Sequence, residues 1–294
     1  MPNQETKIPS PHRPCALVVD SGAVLAVPPP RGTSVIPLRI VFGEEVLRDV
    51  ADITAEEFYR RLEAGERATT STPSPGEYLE ALIGADGAEI VCLTLPEQLS
   101  GMFTAANLAA RLFHESGDER RVTVIDTGTA AAGLGLVARA AAELCAASAT
   151  ADCVYRRVHE ACRSVRMFGT LRTLKYLARG GHVPSIAASV SGLLDVRPIL
   201  ELRSGEVHRY ALARTESHVL TTFREIAERE LPKGQPLWVL AFHSSDEQAA
   251  QSILEAVASV TRVARAEVIP LTPALGAHTG PGMSGFAAMP AALS

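Results

Sequence analysis

Four short polar clusters carry the side chains that could do chemistry. They are Thr70-Ser71-Thr72-Pro73-Ser74, Leu99-Ser100-Gly101, Asp126-Thr127-Gly128 and the glycine-rich run Gly276-Ala277-His278-Thr279-Gly280-Pro281-Gly282. Each falls just after an expected strand or at an expected helix start. Hydroxyls and free backbone N–H groups at such positions can hold an anion. In open α/β sheets, ligands bind in the crevice beyond the carboxyl ends of the strands. Taken singly, each cluster reads first as a cap or a turn. The eight histidines show no H-E-x-x-H or other metal-ligand spacing. Only His278 stands out, because of its glycine-rich setting. No metal and no cofactor is expected.

Asp126-Thr127-Gly128 matches the short loop of an aspartic protease, but that chemistry needs two such carboxylates sharing a proton. Here an Ala-rich helix follows instead. Gly128 to Gly135 has the texture of a phosphate loop. It lacks the terminal Lys-Ser/Thr and the G-x-G-x-x-G order, so no nucleotide is expected on this chain. One catalytic alternative stays open: an esterase or thioesterase pairing Ser100 or Ser71 with His278. No G-x-S-x-G elbow supports it.

The elements that must position these clusters follow from the hydrophobic pattern. Short apolar runs at 15–20, 34–42, 89–95, 122–126, 206–212, 237–242 and 263–270 read as strands. Between them lie amphipathic segments. Thr54-Ala55-Glu56-Glu57 and Ser74-Pro75-Gly76-Glu77 read as capping boxes, the second with Pro75 at the first helical position, where its missing N–H costs nothing. Further helices are expected at 102–114, 130–147, 151–165, 170–178 (stopped by Gly180-Gly181), 215–230 and from the Ser244-Ser245-Asp246-Glu247 cap to residue 260. Residues 185–200 are apolar and rich in small side chains. Strands alternating with helices predict an α/β fold with a largely parallel sheet, its strands buried on both faces.

At 294 residues and 47% hydrophobic, the chain can build one large core or two medium ones. Two domains are expected, a 14–165 N-terminal α/β domain and a 166–294 C-terminal α/β domain, after a disordered tail at 1–13. That tail is polar and Pro-rich, without the apolar run of a signal peptide. Residues 130–147 carry Arg139 and Glu143, so this most apolar stretch reads as a buried helix and not a membrane span. A cytoplasmic location is expected. The net charge of −5 and the absence of a basic stripe argue against a nucleic-acid partner. The five cysteines form no C-x-x-C pair and read as buried, reduced thiols.

Taken together and in order, the clusters resemble the DegV family, which includes the fatty-acid-binding subunits of bacterial fatty acid kinase. The resemblance covers about residues 15 to 290. Its pieces are Val19-Asp20-Ser21, Val35-Ile36-Pro37-Leu38, the Thr70, Ser100 and Asp126 clusters, Thr173-Leu174-Lys175-Tyr176-Leu177 with Gly180-Gly181, Leu193-Leu194 with Pro198-Ile199-Leu200, and the Gly276–Gly282 run. It implies two α/β domains with a fatty acid between them. It implies that Thr70 and Ser100, with neighbours Ser71 and Gly101, and His278, with Thr279, hold the carboxylate. It further implies a separate kinase subunit that supplies ATP chemistry and yields an acyl phosphate, with Arg214 matching a basic position on the partner-facing surface. The chain departs from the family pattern at Gly22, Thr72, Met102 and His182, while both carboxylate hydroxyls are kept. No turnover of its own is implied.

Elementary energetics fit such a ligand. A C16 chain buries roughly 14 methylenes at about 0.8 kcal/mol each, a gross gain near 11 kcal/mol before ordering costs. A wall of Ala, Val, Leu and Ile can supply that. The head group cannot enter as an unpaired anion, and two hydroxyls with a glycine-loop backbone can satisfy it.

Overall fold

The computed structural model describes residues 14–25, 28–180 and 196–292. The expected tail at 1–13, together with Gly181, His182 and Leu193-Leu194, lies outside the described residues. In chain order the first half runs β1 (Cys15–Asp20), β2 (Thr33–Ile36), β3 (Arg39–Phe42), β4 (Glu45–Arg48), α1 (Ala55–Glu63), β5 (Ala68–Ser71), α2 (Pro75–Gly84), β6 (Glu89–Thr94), α3 (Met102–Glu115), β7 (Arg121–Asp126), α4 (Ala131–Ala146) and α5 (Ala151–Ser164). The second continues β8 (Arg166–Thr170), α6 (Lys175–Gly180), β9 (Arg197–Arg203), β10 (Glu206–Ala213), α7 (Glu216–Glu230), β11 (Leu237–His243), α8 (Glu247–Ala258), β12 (Val263–Pro270), α9 (Pro273–Thr279) and β13 (Ser284–Pro290).

Three sheets result among the described residues. The first is four-stranded and wholly parallel, in the order β2-β1-β6-β7. Its central strands are continuous apolar runs, Cys-Ala-Leu-Val-Val in β1 and Ile-Val-Cys-Leu in β6, because helices cover both faces. The second is six-stranded, β10-β9-β8-β13-β11-β12, and mostly antiparallel; only β11 and β12 pair in parallel. The expectation of a largely parallel sheet therefore holds for the first sheet and fails for the second. Hairpin turns can join antiparallel neighbours directly, as Ser204-Gly205 joins β9 to β10 with both residues at positive φ (52° and 81°).

The third sheet is small, β4-β3-β5, and antiparallel. The single strand expected at 34–42 is in fact two, β2 and β3, split between sheets. Pro37 lies at the break, where it can donate no ladder bond. Thr170 ends β8, where it pairs with Ile199 and Ser284, so the helix expected from 170 starts only at Lys175. At the Ser244 cluster the cap is Asp246, which accepts from the Ala249 N–H. Ser244 instead accepts from the Met283 N–H.

Helix α4 explains how the halves meet. It packs on β1 of the first sheet and on β11 and β13 of the second. It is buried along almost its whole length. A Cβ at Gly135 would lie 2.3 Å from the Val24 carbonyl oxygen and 3.4 Å from Leu240, one from each side. Small side chains are what let one helix be sandwiched between two sheets. At the opposite end the β9–β10 turn closes on the first half, where the Gly205 N–H donates to the Gly128 carbonyl at 2.8 Å. No helix among the described residues is long and apolar enough to cross a membrane. Cys15, Cys92 and Cys145 are buried and reduced, but Cys153 and Cys162 are only half-buried, contrary to the expectation for all five.

Candidate ligand-binding site

The residues with chemical potential converge from three places. Thr70 sits inside β5, not in a loop after a strand, and its register partner is Ile40 of β3. Ser100 ends the turn before α3, where its Oγ accepts weakly from the Met102 N–H at 3.4 Å. His278 lies in the last turn of α9, so the glycine-rich run read as a loop is half helix. Two glycines make that helix possible. A Cβ at Gly276 would fall 2.5 Å from the Tyr59 hydroxyl and 2.9 Å from the Phe58 ring, so α9 can approach α1 closely only there. Gly280, at φ 71°, ends the helix in a conformation other residues rarely adopt.

Thr70 Oγ1 and His278 Nε2 share a hydrogen bond of 2.7 Å across 208 residues of sequence. Both, with Ser100 and Thr279, line one deep cavity with about 1020 Å³ of empty space, counting its mouth. The rest of its wall is leucine, methionine, valine, alanine and one glycine, Gly169. Gly169 and Met167 take alternate positions along β8 and so face the same side, with Leu171 just past the strand end. Met167, Leu202 and Val207 form one row across β8, β9 and β10.

A second, more polar groove adjoins the cavity, with about 1210 Å³ of empty space. The two share Leu38, Thr70, Leu99, Ser100 and His278. The hydroxyls and the imidazole thus stand where an apolar interior gives way to an outward-facing groove. Ser71 and Gly101 are exposed and line only the groove, along with Arg67, Tyr176 and Arg179. Thr279 lines the cavity, but its hydroxyl donates to the Leu275 carbonyl at 3.1 Å. Arg214 is exposed between β10 and α7 and is not among the residues lining either space. In this geometry His278 Nε2 meets the Thr70 hydroxyl.

Asp126 is a turn pin: its carboxylate accepts from the Gly128 N–H at 2.8 Å and from the Glu97 N–H at 3.0 Å. Among the described residues no group of three or more His, Cys, Asp or Glu side chains could hold a metal ion.

Two wholly buried carboxylates lie nearby, Asp20 of the Val19-Asp20-Ser21 piece and Asp49. Asp20, wholly buried at the end of β1, accepts from the Gly22 N–H (2.8 Å) and the Leu95 N–H (2.7 Å). Burial pushes its pKa up to about 7, against those two bonds, with the Asp49 charge adding a little. Asp49, equally buried after β4, accepts from the Ser21 hydroxyl at 2.6 Å and the Ala274 N–H at 3.0 Å. Burial raises it to about 6, with the Ser21 bond opposing. Nothing in the run Leu47-Arg48-Asp49-Val50 distinguishes Asp49 from a surface acid.

The fold and this geometry define a class: an α/β protein of two domains around one deep apolar cavity with a polar end. The comparisons place the chain more narrowly. The family described as "Uncharacterised protein, DegV family" matches residues 14–291, and the chain belongs to that family. A DegV domain-containing protein of Streptomyces coelicolor is 32% identical over 284 residues, covering 93% of this chain and 97% of the relative. Among solved structures, a DegV family protein from Thermus thermophilus, described for its fatty acid binding, is 31% identical with a TM-score of 0.80, over 94% of this chain and 99% of that one. A DegV lipid-binding protein from Thermotoga maritima is 26% identical with a TM-score of 0.81, over 95% and 99%.

Proposed function

We propose that this chain binds one long-chain fatty acid in its apolar cavity, with the carboxylate held at the Thr70–Ser100–His278 end, and presents it to a separate kinase. The observation that carries the reading is the position of those three side chains, where the apolar cavity meets the polar groove. The fatty acid binding described for the Thermus thermophilus relative supports it. Ser71, Gly101 and Thr279 frame the same end, and residues 14–165 and 166–294 are the two domains that enclose the ligand. The protein would work in the cytoplasm, where ATP is at hand.

The groove gives the carboxylate an outward path. A carboxylate oxygen attacks the γ-phosphorus of ATP held by the partner, ADP leaves, and an acyl phosphate forms. This chain's part is to bury the acyl chain, orient the carboxylate and exclude water. Arg214, exposed and away from the cavity, is assigned to the partner-facing surface. A charge there speeds encounter more than it changes lipid affinity.

The test uses purified protein, a fatty acid and ATP, with and without a bacterial fatty acid kinase subunit. Acyl phosphate forms only when the kinase is added, and Arg214→Ala slows its formation without changing lipid affinity. Acyl phosphate from this protein and ATP alone overturns the carrier reading. Release of p-nitrophenol from acyl esters, abolished by His278→Ala, would replace it with an esterase.

A further inference from the structure

The geometry points to Asp49 as a positioning residue that sets the Thr70–His278 contact from beneath, a role that rests on the fatty-acid reading above. Its carboxylate and main chain reach both sides of that contact. On the His278 side, Asp49 accepts the Ala274 N–H at 3.0 Å. Ala274 lies one helical turn before His278, so the two share a face of α9, and both line the cavity. The N-cap of α9, Thr272, makes no side-chain cap bond; its hydroxyl donates instead to the Ser21 carbonyl at 3.1 Å. A carboxylate remote in sequence therefore satisfies a helix N–H that has no intrahelical partner.

On the Thr70 side, the link runs through Leu38. The Asp49 N–H donates to the Leu38 carbonyl at 2.9 Å. The Leu38 N–H donates to Ser21 Oγ at 3.0 Å, and Ser21 Oγ–H donates to Asp49 at 2.6 Å. Leu38 leads directly into β3, whose Ile40 is the register partner of Thr70. One buried acid thus fixes α9 against β1 and the small sheet against β1. The two halves of the ligand's polar end move only if it lets go. The titratable groups that face it are Asp20 at the end of β1 and Tyr59 on α1.

Asp49 touches no ligand in this scheme, so its effect must appear in the geometry of the site and not only in stability. Asp49→Asn keeps an acceptor for the Ala274 N–H and a polar group toward Ser21, whereas Asp49→Ala keeps neither. The test titrates delipidated protein with palmitate by calorimetry, well below each variant's melting temperature. It also follows the 15N ring signals of His278, assigned by their loss in His278→Gln. Asp49→Ala is expected to bind at least tenfold more weakly and to shift the His278 signals, while Asp49→Asn stays within about threefold of the parent. Ser21→Ala carries the same expectation in the same direction and decides the matter if Asp49→Ala does not fold. Parent-like affinity and His278 signals in a folded Asp49→Ala or Ser21→Ala protein overturn the positioning role and leave the fatty-acid reading intact. A parent protein that does not bind palmitate or another long-chain fatty acid overturns both.

Discussion

Thr70→Val replaces one hydroxyl with a methyl of nearly the same volume, so the wall keeps its shape and only its chemistry changes. Three consequences follow from the structure. His278 Nε2 loses its 2.7 Å partner. An incoming carboxylate loses one of its two proposed hydroxyl donors, Thr70 and Ser100; the third hydroxyl in the wall, Thr279, is committed to the Leu275 carbonyl. No void is created, so the cavity term that accompanies large-to-small changes is absent. The loss is then that of one hydrogen bond to a charged, desolvated group, about 1.5–3 kcal/mol. At about 1.4 kcal/mol per factor of ten, palmitate should bind roughly ten- to a hundredfold more weakly. Thr70 is only half-buried, which favours the lower end. Calorimetric titration of delipidated protein measures the change, with thermal melting to confirm the fold and Thr70→Ser as the control that keeps the hydroxyl. A valine variant within twofold of the parent, or a serine variant as weak as the valine one, would refute the reasoning.

Three further outcomes are expected. Ser100→Ala removes the other hydroxyl at the same end and should weaken binding by a similar factor with the fold intact; unchanged affinity in the same titration removes Ser100 from the site. Asp20 and Asp49, at about 7 and about 6, lie above the ordinary carboxylate value of 3.8, so the folded state holds more protons than the unfolded one. Their stabilising contribution is complete below about pH 4 and is lost as pH rises through about 6 and 7. Urea unfolding of the ligand-free protein between pH 5 and 7 should show stability falling with pH, and Asp20→Asn should flatten the trend; rising stability over that window contradicts it. Finally, Leu202 lines the apolar wall of the cavity in one row with Met167 and Val207. Leu202→Ala should raise the preference for an acyl chain one methylene longer by about fourfold, from about 0.8 kcal/mol per buried methylene. An unchanged chain-length profile in competition binding places the tail elsewhere.

Much of this candidate site was readable in the sequence because its polar residues sit in short clusters that punctuate apolar runs. Thr70, Ser100 and His278 stood out by type and setting, and the structure brings Thr70 and His278 into contact. The parallel sheet was legible for the same reason: β1 and β6 are unbroken apolar runs. What could not be read depended on contacts remote in sequence. The strand character of Ala68–Ser71 comes from pairing with β3, since Ala-Thr-Thr-Ser has no periodicity of its own. β8 and β13 are short and rich in small or irregular residues, and they become strands by pairing with each other and with β9 and β11. Asp49 carries no local mark, because its partners, Ser21 and Ala274, are 28 and 225 residues away.

The central claim is that the apolar cavity holds a fatty acid with its carboxylate at the Thr70–Ser100–His278 end. Native mass spectrometry of the purified protein, followed by solvent extraction and mass analysis of what is released, tests it most directly. The account predicts one long-chain fatty acid per chain, retained by the parent protein and largely lost from a folded variant carrying both Thr70→Val and Ser100→Ala. A parent protein that carries no lipid and takes up none when offered palmitate or oleate would contradict it, as would a double variant that retains the lipid as fully as the parent.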